Sequence, residues 1–240
     1  MQNRKKILLK ITGEIFFERT TKKLSASAIK DLANQIKQLE STHQFGIVVG
    51  GGNFFRGTQH GVALGMTPSV GHQVGMLATM MNGLILKDLF EQHGLSTSLF
   101  CAIPCPEVGS PISQQAIASA LQKNNTLIFI GGTGNPFFTT DTNAVLRGLQ
   151  IEASEIWKGT NVDGIYDTDP RKHENATLIK RVSYTDALTQ NLGIMDAPAF
   201  ALARQHGLSI RVFNIFTPDA LITAAHNTDF GSLLEVQSKK

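Results

Sequence analysis

The chain has 240 residues, 42% of them apolar or aromatic, enough for a continuous core in one large α/β domain or two small ones. Lys and Arg number 22 against 19 Asp and Glu, a net charge of +3 with no more than short basic clusters, as at residues 4–6 and 239–240, which excludes nucleic acid as the principal ligand. No stretch approaches the roughly 18 consecutive apolar residues of a membrane span, and the N-terminus has neither an apolar signal core nor a cleavage site, so a cytoplasmic protein with no membrane partner is expected.

Residues 6–11 read as a first strand. Residues 27–39 put Ile29, Leu32, Ala33, Ile36 and Leu39 on one helical face. Residues 46–49 form a second strand that runs into Gly50, Gly51 and Gly52. The longest helical pattern, 74–92, is apolar around most of its circumference (Met76, Leu77, Met80, Leu84, Leu86, Leu89), which predicts a helix deep in the core or at a subunit interface. Strands follow at 97–102 and 126–130 with a helix at 113–122 between them, then a helix at 140–150 with Asp141 near its start. A strand at 155–158 leads into a Gly/Asp-rich loop, and helices at 184–190 and 197–206, a strand at 209–213 and a helix at 219–225 complete the chain. This alternation predicts βαβ units, a mostly parallel sheet, and one domain with two lobes, since no linker divides it. Cys101 and Cys105 lack the second ligand pair that zinc requires and read as ordinary thiols.

Four loops follow strands that would run parallel: KITGE (10–14), GGGNFFRG (50–57), GTGNPFFTTD (132–141) and GTNVDGIYDTDP (159–170). In a parallel sheet all four emerge at the carboxyl edge, where open α/β sheets bind ligands. Glycines allow several backbone N–H groups to converge on one phosphate, and Lys10 and Arg56 add full positive charge. In GTGNPFFTTD, Pro136 fixes a turn and Thr133, Thr139 and Thr140 set hydroxyls beside Asp141. Asp141 and Asp169 are candidates to hold Mg²⁺ or to orient Lys10. Taken singly each signal is weaker: three glycines make a tight turn, a strand-end lysine is usually solvated, and Asp163 and Asp169 suit turns. Their coincidence in one strand register suggests a polyphosphate site. There is no GxxxxGK[ST], so this is not a P-loop fold, and the GxGxxG pattern fails at Phe137. No GxSxG or HExxH motif is present, and the seven His are scattered.

The set KITGE, GGGNFFRG, VGHQVGMLATMMNGL, GTGNPFFTTD, TNVDGIYDTDP, IMDAPAFALAR and IRVFN, in that order, resembles the bacterial uridylate (UMP) kinases of the amino acid kinase superfamily, from about residue 6 to 213. The resemblance implies a three-layer αβα sandwich with a mostly parallel central sheet, an N-terminal acceptor side and a C-terminal ATP side. It implies transfer of the γ-phosphoryl group of MgATP to UMP, with Mg²⁺ carried by ATP and assembly as a homohexamer. Lys10 and Asp141 would be catalytic; Lys10, Ile11, Thr12, Gly13, Gly52, Arg56, Thr160, Tyr166 and Asp169 would bind ATP. Gly51, His72, Thr133, Gly134, Asn135, Pro136, Phe137, Phe138, Thr139 and Thr140 would hold UMP. Three departures stand out. Thr12 replaces the usual Ser and keeps its hydroxyl, His72 replaces an Asp that accepts from the ribose hydroxyls, and Glu91 and Ser98 do not match the basic GTP-activator region, so GTP activation is not expected. The reading from another functional class is a non-catalytic nucleotide-binding or storage relative on the same scaffold.

Overall fold

In a computed structural model that describes residues 4–18, 21 and 23–236, strand β1 (Lys5–Ile11) owes its central place to its composition. Ile7, Leu8, Leu9 and Ile11 are all fully buried, so β1 is covered on both faces, which a parallel sheet between helix layers provides. Its alternating side chains divide between two cores: Ile7, Leu9 and Ile11 enter one, and Leu8 the other. The first core is closed by helices α1 (Ser27–Leu39), α2 (Pro68–Gln92) and α7 (Ala220–His226). The second is closed by α3 (Gln114–Gln122), α4 (Thr140–Gln150), α5 (Tyr184–Thr189) and α6 (Ala197–Gln205). The result is the expected three-layer αβα sandwich.

The remaining strands are β2 (His43–Val49), β3 (Thr97–Cys101), β4 (Ser110–Pro111), β5 (Thr126–Ile130) and β6 (Glu155–Thr160). After them come β7 (Ile165–Tyr166), β8 (Leu178–Ile179), β9 (Arg181–Ser183), β10 (Ile210–Asn214) and β11 (Ser232–Glu235). Nine strands form one sheet in the order β4-β3-β5-β2-β1-β6-β10-β11-β9, and β7 and β8 make a separate hairpin. Among the described residues, only β10 and β11 of the large sheet pair antiparallel. The chain moves outward from β1 to β2 on one side and returns to β6 on the other, so the sheet order reverses beside β1. A crevice forms at such a reversal, outside the carboxyl ends of the strands.

Two differences from the sequence expectation have simple causes. Helix α2 begins at Pro68 rather than residue 74, because Thr67 is extended and Pro68 fills a first-turn position where no N–H is needed. Strands β4, β7, β8, β9 and β11 hold two to four residues each, too few to show a period of two. The basic pair at 239–240 lies outside the described residues.

Helix α2 approaches β5 through Gly83, where an added Cβ would stand 2.1 Å from Ile130 Cγ2. Gly83→Ala would raise helix propensity by about 1 kcal/mol but overpack this contact, and a net loss of about 1–2 kcal/mol is expected. Urea unfolding checks it; an unchanged or raised midpoint would mean the α2–β5 contact yields freely.

Candidate active site

β1, β2, β5 and β6 run parallel, so the four loops do leave the sheet at one edge. The first two interlock. Gly50 N–H donates to Ile11 O at 3.0 Å, and a Cβ on Gly13 would fall 2.2 Å from Asn53 Oδ1, so only glycine lets these turns touch. Buried Asn82 of α2 braces them, donating to Gly50 O at 2.6 Å and exchanging amide hydrogen bonds with Asn53. Ile11 has its side chain in the core and reaches the rim through its backbone alone. Thr12 Oγ1 caps the short 3₁₀ turn that follows by accepting from Glu14 N–H.

At the centre, Asp141 lies between two lysines. Lys10 Nζ is 3.0 Å from its Oδ1 and Lys158 Nζ is 2.6 Å from its Oδ2. The convergence follows from register: Lys10 and Lys158 are direct partners across β1 and β6. Asp141 is brought to them by α4, whose N-cap Thr139 accepts from Asp141 N–H at 3.0 Å. Burial alone would raise the Asp141 pKa, but the ammonium groups of Lys10 and Lys158 outweigh it and hold the carboxyl at about 2. Lys158 is pushed down by its own burial, with Lys10 adding to the effect and Asp141 opposing it. Lys10 meets Oδ1 at ion-pair distance without hydrogen-bond alignment, leaving that buried oxygen with no directed hydrogen bond. Two cations and the positive end of α4 therefore face the cleft around a single anion.

The loop after β5 turns through left-handed Gly131, Gly132 and Gly134, and Phe137, at φ 71°, holds the same region against its own Cβ. Such a conformation persists where neighbours enforce it. The Phe137 ring stands 5.1 Å from that of His72, on the first turns of α2, so sequence-distant members of the expected UMP set do meet. Gly51 packs directly on α2, where a Cβ would lie 2.8 Å from Gly75 O. Gly131 N–H donates to the buried Thr79 hydroxyl at 3.0 Å, fastening the loop to α2. Thr133 closes a local turn with Asn135, and Thr139 donates to Asp196. Asn135, Phe137, Phe138 and Thr139 are exposed, while Gly134, Pro136 and Thr140, the first residue of α4, are partly covered.

On the other side, a cavity of about 490 Å³ is bordered by Lys158, Thr160, Tyr166 and Asp169, and a second of about 520 Å³ by Gly52 and Arg56. Arg56 Nη2 pairs with Glu14 at 3.1 Å and its Nε donates to Gly52 O. The Thr160 hydroxyl is spent on its own turn, donating to Val162 O. Asp169 does not join Asp141; both its oxygens accept from Arg171.

Lys158 and Asp196 were not picked out from sequence. Lys158 looks like the last residue of a strand until the pairing of β1 with β6 is known. Asp196 caps α6 through Ala199 N–H at 2.8 Å, and it accepts from Thr142 at 2.9 Å as well as from Thr139. Its signal was the Asp-Ala-Pro start of a helix, which marks a cap and does not name its partners.

The amino acid kinase family model matches residues 5–214. The chain is 45% identical over 230 residues to the uridylate kinase of Sodalis glossinidius, covering 95% of each chain. It is 42% identical to that of Pseudoalteromonas atlantica, covering 96% of this chain and 93% of the other. Among solved structures, UMP kinase from Ureaplasma parvum superimposes with a TM-score of 0.90 at 34% identity, covering 98% of this chain and 99% of that one.

A carboxyl held at about 2 stabilises the fold above its ordinary value of 3.8 and loses that contribution as pH falls through about 2. Asp141→Asn leaves two lysines unpaired and should be less stable than the parent at pH 6. Because protonation removes the parent's advantage, the gap should shrink by roughly 2 kcal/mol between pH 5 and pH 2. Chemical unfolding across that range measures it, and a constant gap would show that the ammonium groups do not hold the carboxylate.

Proposed function

The chain belongs to the amino acid kinase family and within it stands with the uridylate kinases; from that premise we propose that its cleft transfers the γ-phosphoryl group of MgATP to UMP. A UMP phosphate oxygen attacks the γ-phosphorus, the bond from that phosphorus to the β-bridging oxygen breaks, and UDP and ADP leave. The observation that carries the assignment of roles is the Lys10–Asp141–Lys158 cluster at the sheet reversal. Charge spreads over the transferring oxygens as the bond breaks, so fixed cations in a cleft with little solvent are the main catalytic device. Lys10 stabilises the group in flight. Asp141 holds Lys10 and Lys158 apart from each other and in place, and the α4 N-terminus adds backbone donors.

UMP binds on the side of Gly51, His72 and residues 133–140, and ATP on the side of Thr160, Tyr166 and Asp169, with Gly52 and Arg56 toward its phosphates. Mg²⁺ supplies further neutralisation of the triphosphate. Among the described residues no group of three His, Cys, Asp or Glu could cage an ion, whereas Asp141 Oδ1 offers one buried oxygen, a donor set that fits an ion arriving on the nucleotide. A storage role is the weaker reading, because mere storage requires no carboxylate shared by two buried lysines.

The same reading makes the chain one domain with an acceptor lobe and an ATP lobe, located in the cytoplasm; among the described residues no helix is long and apolar enough to cross a membrane. Val70, Leu77, Met81 and Leu84 form an exposed apolar stripe along α2, which supports contact between copies of the chain and assembly as a homohexamer.

A coupled ADP-release assay with UMP, dUMP, CMP and amino-acid acceptors tests the activity, with UMP expected to be preferred. Lys10→Ala should lose about 3 kcal/mol of barrier lowering, a hundredfold or more in turnover; near-parental turnover would exclude the mechanism. His72 offers one acceptor where a carboxylate takes two hydrogen bonds. His72→Asp is therefore expected to tighten UMP binding by roughly tenfold or more, read by titration, and equal affinities would reject a ribose contact at this position.

A further inference from the structure

Two residues, Asn161 and Arg171, are shared by the cavity that holds Tyr166 and the cavity that holds Arg56. A nucleotide whose base lies in the first and whose phosphates reach toward the second has to pass between them. Asn161 is tied down, donating to Glu14 Oε2 at 3.3 Å. Arg171 is anchored on one edge only: its Nε donates to Asp169 Oδ1 at 3.0 Å and its Nη2 to Asp169 Oδ2 at 3.2 Å. Asp169 Oδ1 also accepts from Arg171 N–H at 3.1 Å, closing a tight turn. This fork fixes the plane of the guanidinium and leaves the Nη1 edge free to donate.

Each cation near the phosphate path has an anion beside it: Lys10 and Lys158 share Asp141, Arg56 pairs with Glu14, and Arg171 pairs with Asp169. A triphosphate brings several negative charges, and an arginine that offers two further N–H groups in a fixed plane suits phosphate oxygens better than a mobile lysine.

We propose that Arg171 binds the phosphates that stay on the donor nucleotide, the α and β groups, and that Asp169 acts as its positioning residue. The proposal rests on the reading of this cleft as the donor site. It separates Arg171 from Lys10: Lys10 serves the group that moves, and Arg171 serves those that remain. Arg171 should therefore hold ADP as firmly as it holds ATP.

The test is MgADP binding by titration calorimetry together with steady-state KM values for MgATP and UMP. Arg171→Ala is expected to weaken MgADP roughly tenfold and to raise the KM for MgATP by a similar factor, with a smaller fall in kcat and no change in the KM for UMP. Arg171→Lys should recover part of the loss, and Asp169→Asn should fall between Arg171→Ala and the parent. The side chain of Arg171 is 69% exposed, so its removal leaves the core intact. Parental MgADP affinity in Arg171→Ala, or an equal rise in both KM values, would overturn the assignment. A parent chain that binds MgADP yet fails to phosphorylate UMP would instead sink the functional reading, while the calorimetry still decides the role of Arg171.

Discussion

One carboxylate shared by two ammonium groups sets the terms for the rest of the molecule. Lys10 and Lys158 stand side by side on adjacent strands, where their mutual repulsion would be severe without Asp141 between them. The pair can exist only because α4 starts at the same sheet edge and delivers Asp141 with its capped first turn. Sheet order, strand register and helix cap therefore converge on one point. The fold is in this sense an apparatus for keeping two positive charges close together and partly dry.

Around that point the rim divides by stiffness. The Gly13–Gly50–Asn53–Asn82 junction is locked by close approach and amide hydrogen bonds, and the loop after β5 is pinned by Thr79 and Asp196. Arg56 and Arg171, by contrast, sit at the surface on the carboxylates of Glu14 and Asp169, exposed pairs that contribute little to stability. On the proposed reading, the groups that meet the reacting atoms are the rigid ones, and those that meet the carried portion of the nucleotide stand at the exposed rim.

Much of this was legible in the chain itself. The first strand at residues 6–11, the strand-then-glycine pattern at residues 50–52 and 132–134, and Asp141 at a helix start all follow from local rules, because each depends on residues near in sequence. The mostly parallel sheet followed from the same patterns, and the three-layer arrangement from the resemblance of the motifs to the family. What could not be read was anything decided by which strands become neighbours. Lys158 gains its meaning from lying beside Lys10, 148 positions away, and Asp169 lost its metal-binding alternative only when Arg171 was seen to occupy both oxygens. The edge strands were missed for another reason: two-residue segments such as Ser110–Pro111 pair because a sheet is already there to receive them.

Thr79 has one hydroxyl, and it both donates to Met76 O and accepts from Gly131 N–H. That single group ties the start of the loop after β5 to α2, as Thr139 ties its end to Asp196 at the start of α6, while the opposite side of the cleft hangs from β6 and the β7–β8 hairpin. On the proposed reading, a loosening of α2 on warming would reach the side that holds the nucleotide being phosphorylated before the side that holds the one giving the phosphate. On that reading the two members of the substrate pair depend on different parts of the scaffold.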